Sequence, residues 1–323
     1  MSRPPRVNPW GQMSLATREG AFQLTETMGL QYLEHGLHSR NGIVRKLSAA
    51  LLQAPKRLAH RSVGREAYLE RPPVLANSFP KSGTHLLDQI VAGLPGRVNY
   101  GAFLSSMTSS FRLTPRSADN VRRFIQATVP GEIVRAHLFH ASEQQEALKS
   151  LNFVHYFVYR DPRDVVVSAS HYLRHMNRWH RLSGKFRALP TEEDGILLSI
   201  VGLQDDDPHS PLPNVEARFR WYEGWLTCPD ALCLRYEDLV GDERTRHLAA
   251  MVEFYNNRCA EPIDVDAAIG GIESRIAPAK SHTFRSGKKG GWRETFTPRL
   301  KDAFKENAGD LLIRLGFESD DSW

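Results

Sequence analysis

The chain has 323 residues, 41% of them hydrophobic and 24% charged, with a formal net charge of +5. That length and balance fit one large globular domain with a real core and exclude a disordered or fibrous chain. Three cysteines, Cys228, Cys233 and Cys259, with no C-x-x-C spacing exclude a disulfide scaffold, and no run approaches the ~18 apolar residues of a membrane span.

The odd thiol count predicts a reduced, cytoplasmic compartment. The first residues, MSRPPRVNPWGQ, have no apolar h-region and do not read as a secretory signal. Residues 1–71 read as an N-terminal extension, basic and partly helical. From Asn41 to Arg65 the segment NGIVRKLSAALLQAPKRLAHRSVGR lacks acidic residues, and Ile43, Leu47, Leu51 and Leu58 recur near helical spacing with Pro55 interrupting. Two readings fit: a helix packed on the main domain, or a surface helix in peripheral contact with anionic lipid.

Residues 72–323 read as the main domain, in which apolar strands alternate with helices. VLANSF, from Val74, is a strand, and 84–92 a helix with Leu86, Leu87, Ile90 and Val91 at helical spacing. A helix is expected over 119–128, a strand in EIVRAHLF from Glu132, and a short helix over 143–148. NFVHYFVY, from Asn152, is a long apolar strand. DPRDVVVSASHYLRHM then starts a helix with Asp161 as N-cap and Pro162 at its first position. Residues 183–214 read as loop-rich, with DDDPHSPLP as exposed turn. VEARFRWYEGWL from Val215 is a helix, ALCLRY from Ala231 a strand, and helices are expected near 242–256 and 297–315. The alternation predicts an α/β fold with a central parallel sheet flanked by helices on both faces. No internal repeat is present.

The chemistry gathers where strands turn into helices. Lys81, Ser82, Gly83 and Thr84 stand at such a junction, where helix amides and a positive dipole end suit a phosphate. Gly83 allows close backbone approach, the hydroxyls donate, and Lys81 adds charge. The sequence is not a Walker A loop, because Lys81 precedes its glycine, and no acidic residue ending a later strand offers itself for magnesium. Arg160 ends the long strand on the same sheet edge, with Ser168 and Asp164 on one face of the following helix. Arg160 and Ser168 form a second anion seat, or else Arg160 pairs with Asp161 or Asp164 and Ser168 only packs. HTFRSGKKGGWRETFT, from His282, is a third element: glycine-rich and cationic, suited to closing over an anion, or a basic surface loop.

Taken together these segments resemble the cytosolic-type sulfotransferases that use 3'-phosphoadenosine 5'-phosphosulfate (PAPS). FPKSGT resembles the family's Y-P-K-S-G-T loop, YRDPRDVVVS its R-[ND]-x-[KR]-D-x-x-V-S motif, FRSGKKGGW its R-K-G-x-x-G-x-W loop and LRYEDL its Y-E-D segment, in the family's order. The resemblance implies the family's P-loop-like fold, PAPS as donor with 3',5'-adenosine bisphosphate as product, and no metal. It implies that Lys81, Ser82, Gly83, Thr84 and His85 lie at the 5'-phosphosulfate end. Arg160, Ser168, Arg285, Ser286 and Gly287 would lie at the 3'-phosphate, and Tyr236 near the cofactor. Two positions depart from the pattern: Leu86 stands where a tryptophan often stacks on adenine, and Ser286 replaces the usual lysine.

VRAHLFH resembles the family's K-T-H-L-P segment and puts His137 at the general base, with His140 as its rival. Lys81 is implied to stabilise the leaving oxygen and Ser168 to restrain Lys81. His171 and His175 are four residues apart but lack a third ligand, so no zinc site is expected. The competing readings are a P-loop-like kinase or NTPase and a non-catalytic anion-binding module. The acceptor pocket is expected from 103–111, 171–179 and 183–214. Phe103, Met107, Phe111, Tyr172, Met176 and Trp179 suit a phenol, lipid or glycolipid, and the histidines and arginines among them suit a sugar. No nucleic-acid partner is expected, and oligomeric state is left open.

Overall fold

The computed structural model describes residues 32–37, 39, 41–107, 116–203, 212–277 and 289–323. They fall into two compact units that part between Leu58 and Ala59. The first contains the helix Gly42–Leu51, whose N-cap Asn41 accepts from the Ile43 N–H, and the start of the helix Gln53–Ser62. The apolar spacing noted in the sequence is helical, but Ile43, Leu47, Leu51 and Leu58 are exposed. The period therefore does not mark a buried face.

Among the described residues the second unit is built on five parallel strands: β1 (Val74–Ser78), β2 (Phe103–Ser105), β3 (Ile133–His137), β4 (Val154–Tyr159) and β5 (Ala231–Arg235). Their order is β2-β3-β1-β4-β5. Every residue of β1 is buried, as a strand covered on both faces requires. Leu75, Val134, Ala136 and Phe157 face one apolar layer, closed by the helices Pro162–His171, Glu192–Val201, Val215–Glu223 and Pro298–Ala308. Val74, Ala76, Tyr156 and Val158 face the other, closed by Thr84–Ala92, Arg244–Asn256 and Val265–Arg275.

After β1 the chain builds β2 and β3 on one side, then crosses to build β4 and β5 on the other. β1 is therefore flanked by the point where the winding reverses, and crevices for ligands open beyond strand ends at such a point. The loops after β1, β3 and β4 all meet there.

The loop-rich reading of 183–214 is corrected. Helices Ser183–Arg187 and Glu192–Val201 occupy much of it. The second is capped by Thr191, whose hydroxyl accepts from the Asp194 N–H, and buries Ile196 and Ile200. Most of DDDPHSPLP lies outside the described residues. The helix begun at Pro162 ends at His171 and continues as a π turn, Tyr172–Met176. The expected helix over 297–315 is two, Pro298–Ala308 and Leu311–Arg314, parted at Gly309 with φ +53°. The strand β2 and the helix Val265–Arg275 have no counterpart among the elements read from the sequence.

Candidate active site

The β1 exit turns through two left-handed residues, Lys81 at φ +71° and Gly83 at φ +100°. A Cβ on Gly83 would stand 2.5 Å from Cδ2 of Tyr236, so this position needs glycine for space as well as for conformation. The helix Thr84–Ala92 starts immediately after, with the Gly83 carbonyl accepting from the Leu87 N–H. Ser82 is fully buried, and its Oγ has no hydrogen-bond partner among the described residues. A buried, unmatched hydroxyl in a loop opening onto helix amides fits an anionic group as its partner.

His137 ends β3. β1 and β3 pair Asn77 with Ala136, so the next step sets Ser78 beside His137. The Nδ1 of His137 lies 2.8 Å from the Ser78 carbonyl oxygen. A carbonyl only accepts, so Nδ1 carries the proton, and in the neutral ring Nε2 keeps its lone pair. The ring's pKa is lowered from 6.5 to about 4, first by burial and further by the Lys81 charge, with the Ser78 hydrogen bond opposing. His137 is thus neutral near pH 7 and close enough to Lys81 to feel its ammonium. Ser78 Oγ also bonds Thr84 Oγ1 at 2.7 Å, joining the histidine's neighbour to the helix start.

Asn77 fixes the β3 exit. Its Oδ1 accepts from the Leu138 N–H at 2.9 Å, and its Nδ2 donates toward the Leu138 carbonyl at 3.2 Å and toward His155 Nε2 at 3.3 Å. His140 lies elsewhere: its ring packs edge-on against Trp225 at 4.8 Å and abuts Gly224.

The Lys81 ammonium lies 4.1 Å from the centre of the Tyr172 ring, a cation–π contact supplied by the π turn. Asn177 Nδ2 donates to the Tyr172 hydroxyl at 2.8 Å. The edge of Phe103 meets His137, with ring centres 5.3 Å apart. Tyr222 donates to Met107 Sδ at 3.7 Å, while Met176 and Trp179 are exposed. Phe111 lies outside the described residues.

Of the two pairings open for Arg160, the structure has Asp164: Nη2 to Oδ2 is 2.9 Å. Asp161 instead pairs with the buried Arg163, whose guanidinium packs on the rings of Trp292 and Trp323, 3.8 and 4.6 Å from their centres. Asp164 also accepts from the Gly290 and Trp292 N–H groups, each at 2.9 Å. One carboxylate therefore joins Arg160, the helix start and the end of the glycine-rich loop. The Arg160 guanidinium covers the Tyr236 ring at 4.5 Å, and burial raises the pKa of the Tyr236 phenol despite the nearby cation. Ser168 lies one turn beyond Asp164, half-buried, and His85 is half-buried in the first turn of its helix. Arg285, Ser286 and Gly287 lie outside the described residues.

The geometry thus gathers Lys81, Ser82, Gly83, Thr84, His137, Arg160 and Tyr236 around one sheet edge. Sequence reasoning overlooked Asn77, Ser78 and the triple role of Asp164. A polar Asn77 inside an otherwise apolar strand was the available signal, since a buried amide requires partners. The Ser78 carbonyl leaves no mark in a side-chain pattern.

Residues 71–316 match the family model for the sulfotransferase domain. No curated protein sequence matches the chain. Among solved structures, the chain is similar to mouse sulfotransferase SULT7A1 complexed with PAP, at 16% identity over 78% of this chain and 90% of that one, with a TM-score of 0.52. Weaker likenesses are to retinol dehydratase in complex with androsterone and inactive cofactor PAP (13% identity, 81% and 85% covered, TM-score 0.46) and with retinol and PAP (14%, 80% and 86%, 0.47).

Proposed function

The chain belongs to the sulfotransferase family, and on that premise we propose that it moves a sulfuryl group from PAPS to an acceptor hydroxyl by in-line transfer. The domain 72–323 carries the reaction, with 1–71 as an extension. When bound, the donor supplies a sulfuryl group on a phosphate leaving group. Ser82 Oγ, the Gly83 turn and the first amides of Thr84–Ala92 hold its 5' end. Arg160, kept by Asp164 and backed by Tyr236, holds the 3'-phosphate together with Ser168 and the loop of Arg285, Ser286 and Gly287.

One observation carries this reading: His137 presents a bare Nε2 beside the Lys81 ammonium, at the mouth of a helix N-terminus. The acceptor's proton goes to Nε2 as its oxygen bonds to sulfur. The bond from sulfur to the bridging oxygen breaks, and Lys81 offsets the charge growing on that oxygen. The packing of His140 on Trp225 supports His137 over it as the base. Phe103 against His137 and Tyr172 beneath Lys81 put apolar faces around the reacting groups, which favours a phenol or alcohol on an apolar body, lipid included, over a sugar. Among the described residues no helix is long and apolar enough to cross a membrane; cytoplasmic placement belongs to the proposal.

The test combines turnover and binding. His137→Gln is expected to cut transfer from labelled PAPS by at least about a hundredfold while keeping the thermal stabilisation given by 3',5'-adenosine bisphosphate. A larger stabilisation by ATP with magnesium would favour the kinase reading. Stabilisation by the bisphosphate with no transfer to any acceptor would favour a binding module.

A further inference from the structure

An amphipathic helix normally buries its apolar stripe and turns polar residues outward. The helix Gly42–Leu51 does the reverse. Ile43, Leu47 and Leu51 are 68%, 58% and 59% exposed, and Val44 lies beside them at 40%. They recur every four residues and form one stripe, about 100° wide at helical pitch. The buried positions, Ser48, Leu52 and Lys56, also recur every four residues on the opposite face.

The stripe continues into the next helix. Leu52 N–H donates to the Ser48 carbonyl, and Lys56 N–H to the Leu52 carbonyl, so the backbone carries through the junction. Pro55 is the third residue of Gln53–Ser62, where a missing N–H is tolerated. Leu58, 64% exposed, then falls in line with Leu47 and Leu51. Two exposed cations, Lys46 and Arg57, lie along one border of the stripe at helical pitch. From Asn41 to Arg65 there is no Asp or Glu.

We propose that this face is an interfacial anchor that lies on an anionic lipid bilayer, with the leucines and isoleucine in the acyl boundary and Lys46 and Arg57 among the headgroups. Apolar side chains bordered by cations match the depth profile of such a surface, and the long basic side chains reach back to its charged layer. A second copy of the same face matches poorly. Two-fold pairing would bring Lys46 and Arg57 near their own copies, with no carboxylate in the segment to offset them.

The experiment is co-sedimentation of the full chain with vesicles of phosphatidylcholine alone and of phosphatidylcholine carrying phosphatidylserine. The wild-type chain is expected to bind the anionic vesicles, to bind the neutral ones at least tenfold more weakly, and to be released by salt. Leu47→Asp with Leu51→Asp should abolish binding. Lys46→Glu with Arg57→Glu should weaken it by about fivefold or more for each cation. Both pairs are on exposed positions, so circular dichroism and melting should stay unchanged. Failure of the wild-type chain to bind anionic vesicles overturns the proposal, as does binding that survives Leu47→Asp with Leu51→Asp. Concentration-dependent dimerisation in solution that is lost in that variant would also overturn it, by giving the face to a second copy.

Discussion

The protonation of His137 is the most direct handle on the site. An imidazole with an ordinary pKa of 6.5 would be only about one-tenth neutral at roughly pH 5.5, whereas one titrating near 4 would be almost wholly neutral. The assay is a nitrogen-15 NMR titration of histidine-labelled protein, with the His137 signals identified by their loss in His137→Gln. At about pH 5.5 the ring should still show a protonated Nδ1 and a bare Nε2, because Nδ1 faces the Ser78 carbonyl. Lys81→Met should raise the midpoint, yet leave it well below 6.5, since burial is the larger cause and the lysine charge the smaller. A midpoint near 6.5 in the wild-type protein would refute the reasoning, and so would a neutral ring protonated on Nε2. The first result would mean that the ring is not desolvated beside Lys81 as the structure has it, and the second that Nε2 does not carry the free lone pair.

Three further outcomes are expected. Gly83→Ala meets both a left-handed backbone and the Tyr236 ring; it should lose about 1–2 kcal/mol of stability in denaturant titrations. Calorimetry should then show at least a tenfold weaker affinity for 3',5'-adenosine bisphosphate, and unaltered affinity would count against a cradle at this turn. Asp164→Ala leaves Arg160 and two loop amides without their shared acceptor. It should cost about 3 kcal/mol of stability and weaken bisphosphate binding, an effect that Arg160→Ala should not compound additively if both act on one seat. His155 is buried with its pKa lowered from 6.5 to about 3, first by desolvation. The folded chain therefore binds fewer protons here than the unfolded one between those values. This contribution is full above 6.5 and is lost as pH falls toward 3. Between about pH 7 and 5.5 the loss is on the order of 1 kcal/mol, and in His155→Gln that part of the acid sensitivity should vanish from melts followed across the same range.

Much of the fold was legible where local and tertiary signals agree. The run from Val74 to Ala92 reads as strand, turn and helix because its apolar period changes from continuous to helical across a glycine. Asp161 and Pro162 mark a helix start by capping chemistry alone. The strand β2 was not legible, since three residues show no period. The helix Glu192–Val201 carried a readable signal in Thr191, followed three residues later by Asp194 and by acids in its first turn. The turn-rich segment after it outweighed that signal. At the site, Lys81, Ser82, Gly83 and Arg160 stand out because each occupies a strand end. Asp164 does not, because a carboxylate in a first helical turn also suits the helix dipole. Only the tertiary fold brings the Gly290 and Trp292 amides to it.

One helix ties the two ends of this site together. The start of Pro162–His171 is fixed by its Asp161 cap and by Arg163 packed on two tryptophans. That rigidity positions Asp164, and through it Arg160. Two turns later, about 12 Å along the axis, the same chain segment widens into the π turn and puts Tyr172 beneath the Lys81 ammonium. π turns of this kind replace the regular hydrogen-bond ladder locally and change the phase of the side chains within them. Tyr172 precedes that change: its own N–H still donates to the Ser168 carbonyl, so the regular α phase set at Pro162 serves both Arg160 and Lys81. On the proposed mechanism the strand ends supply the reacting groups, and this helix sets the distance between Arg160 and Lys81.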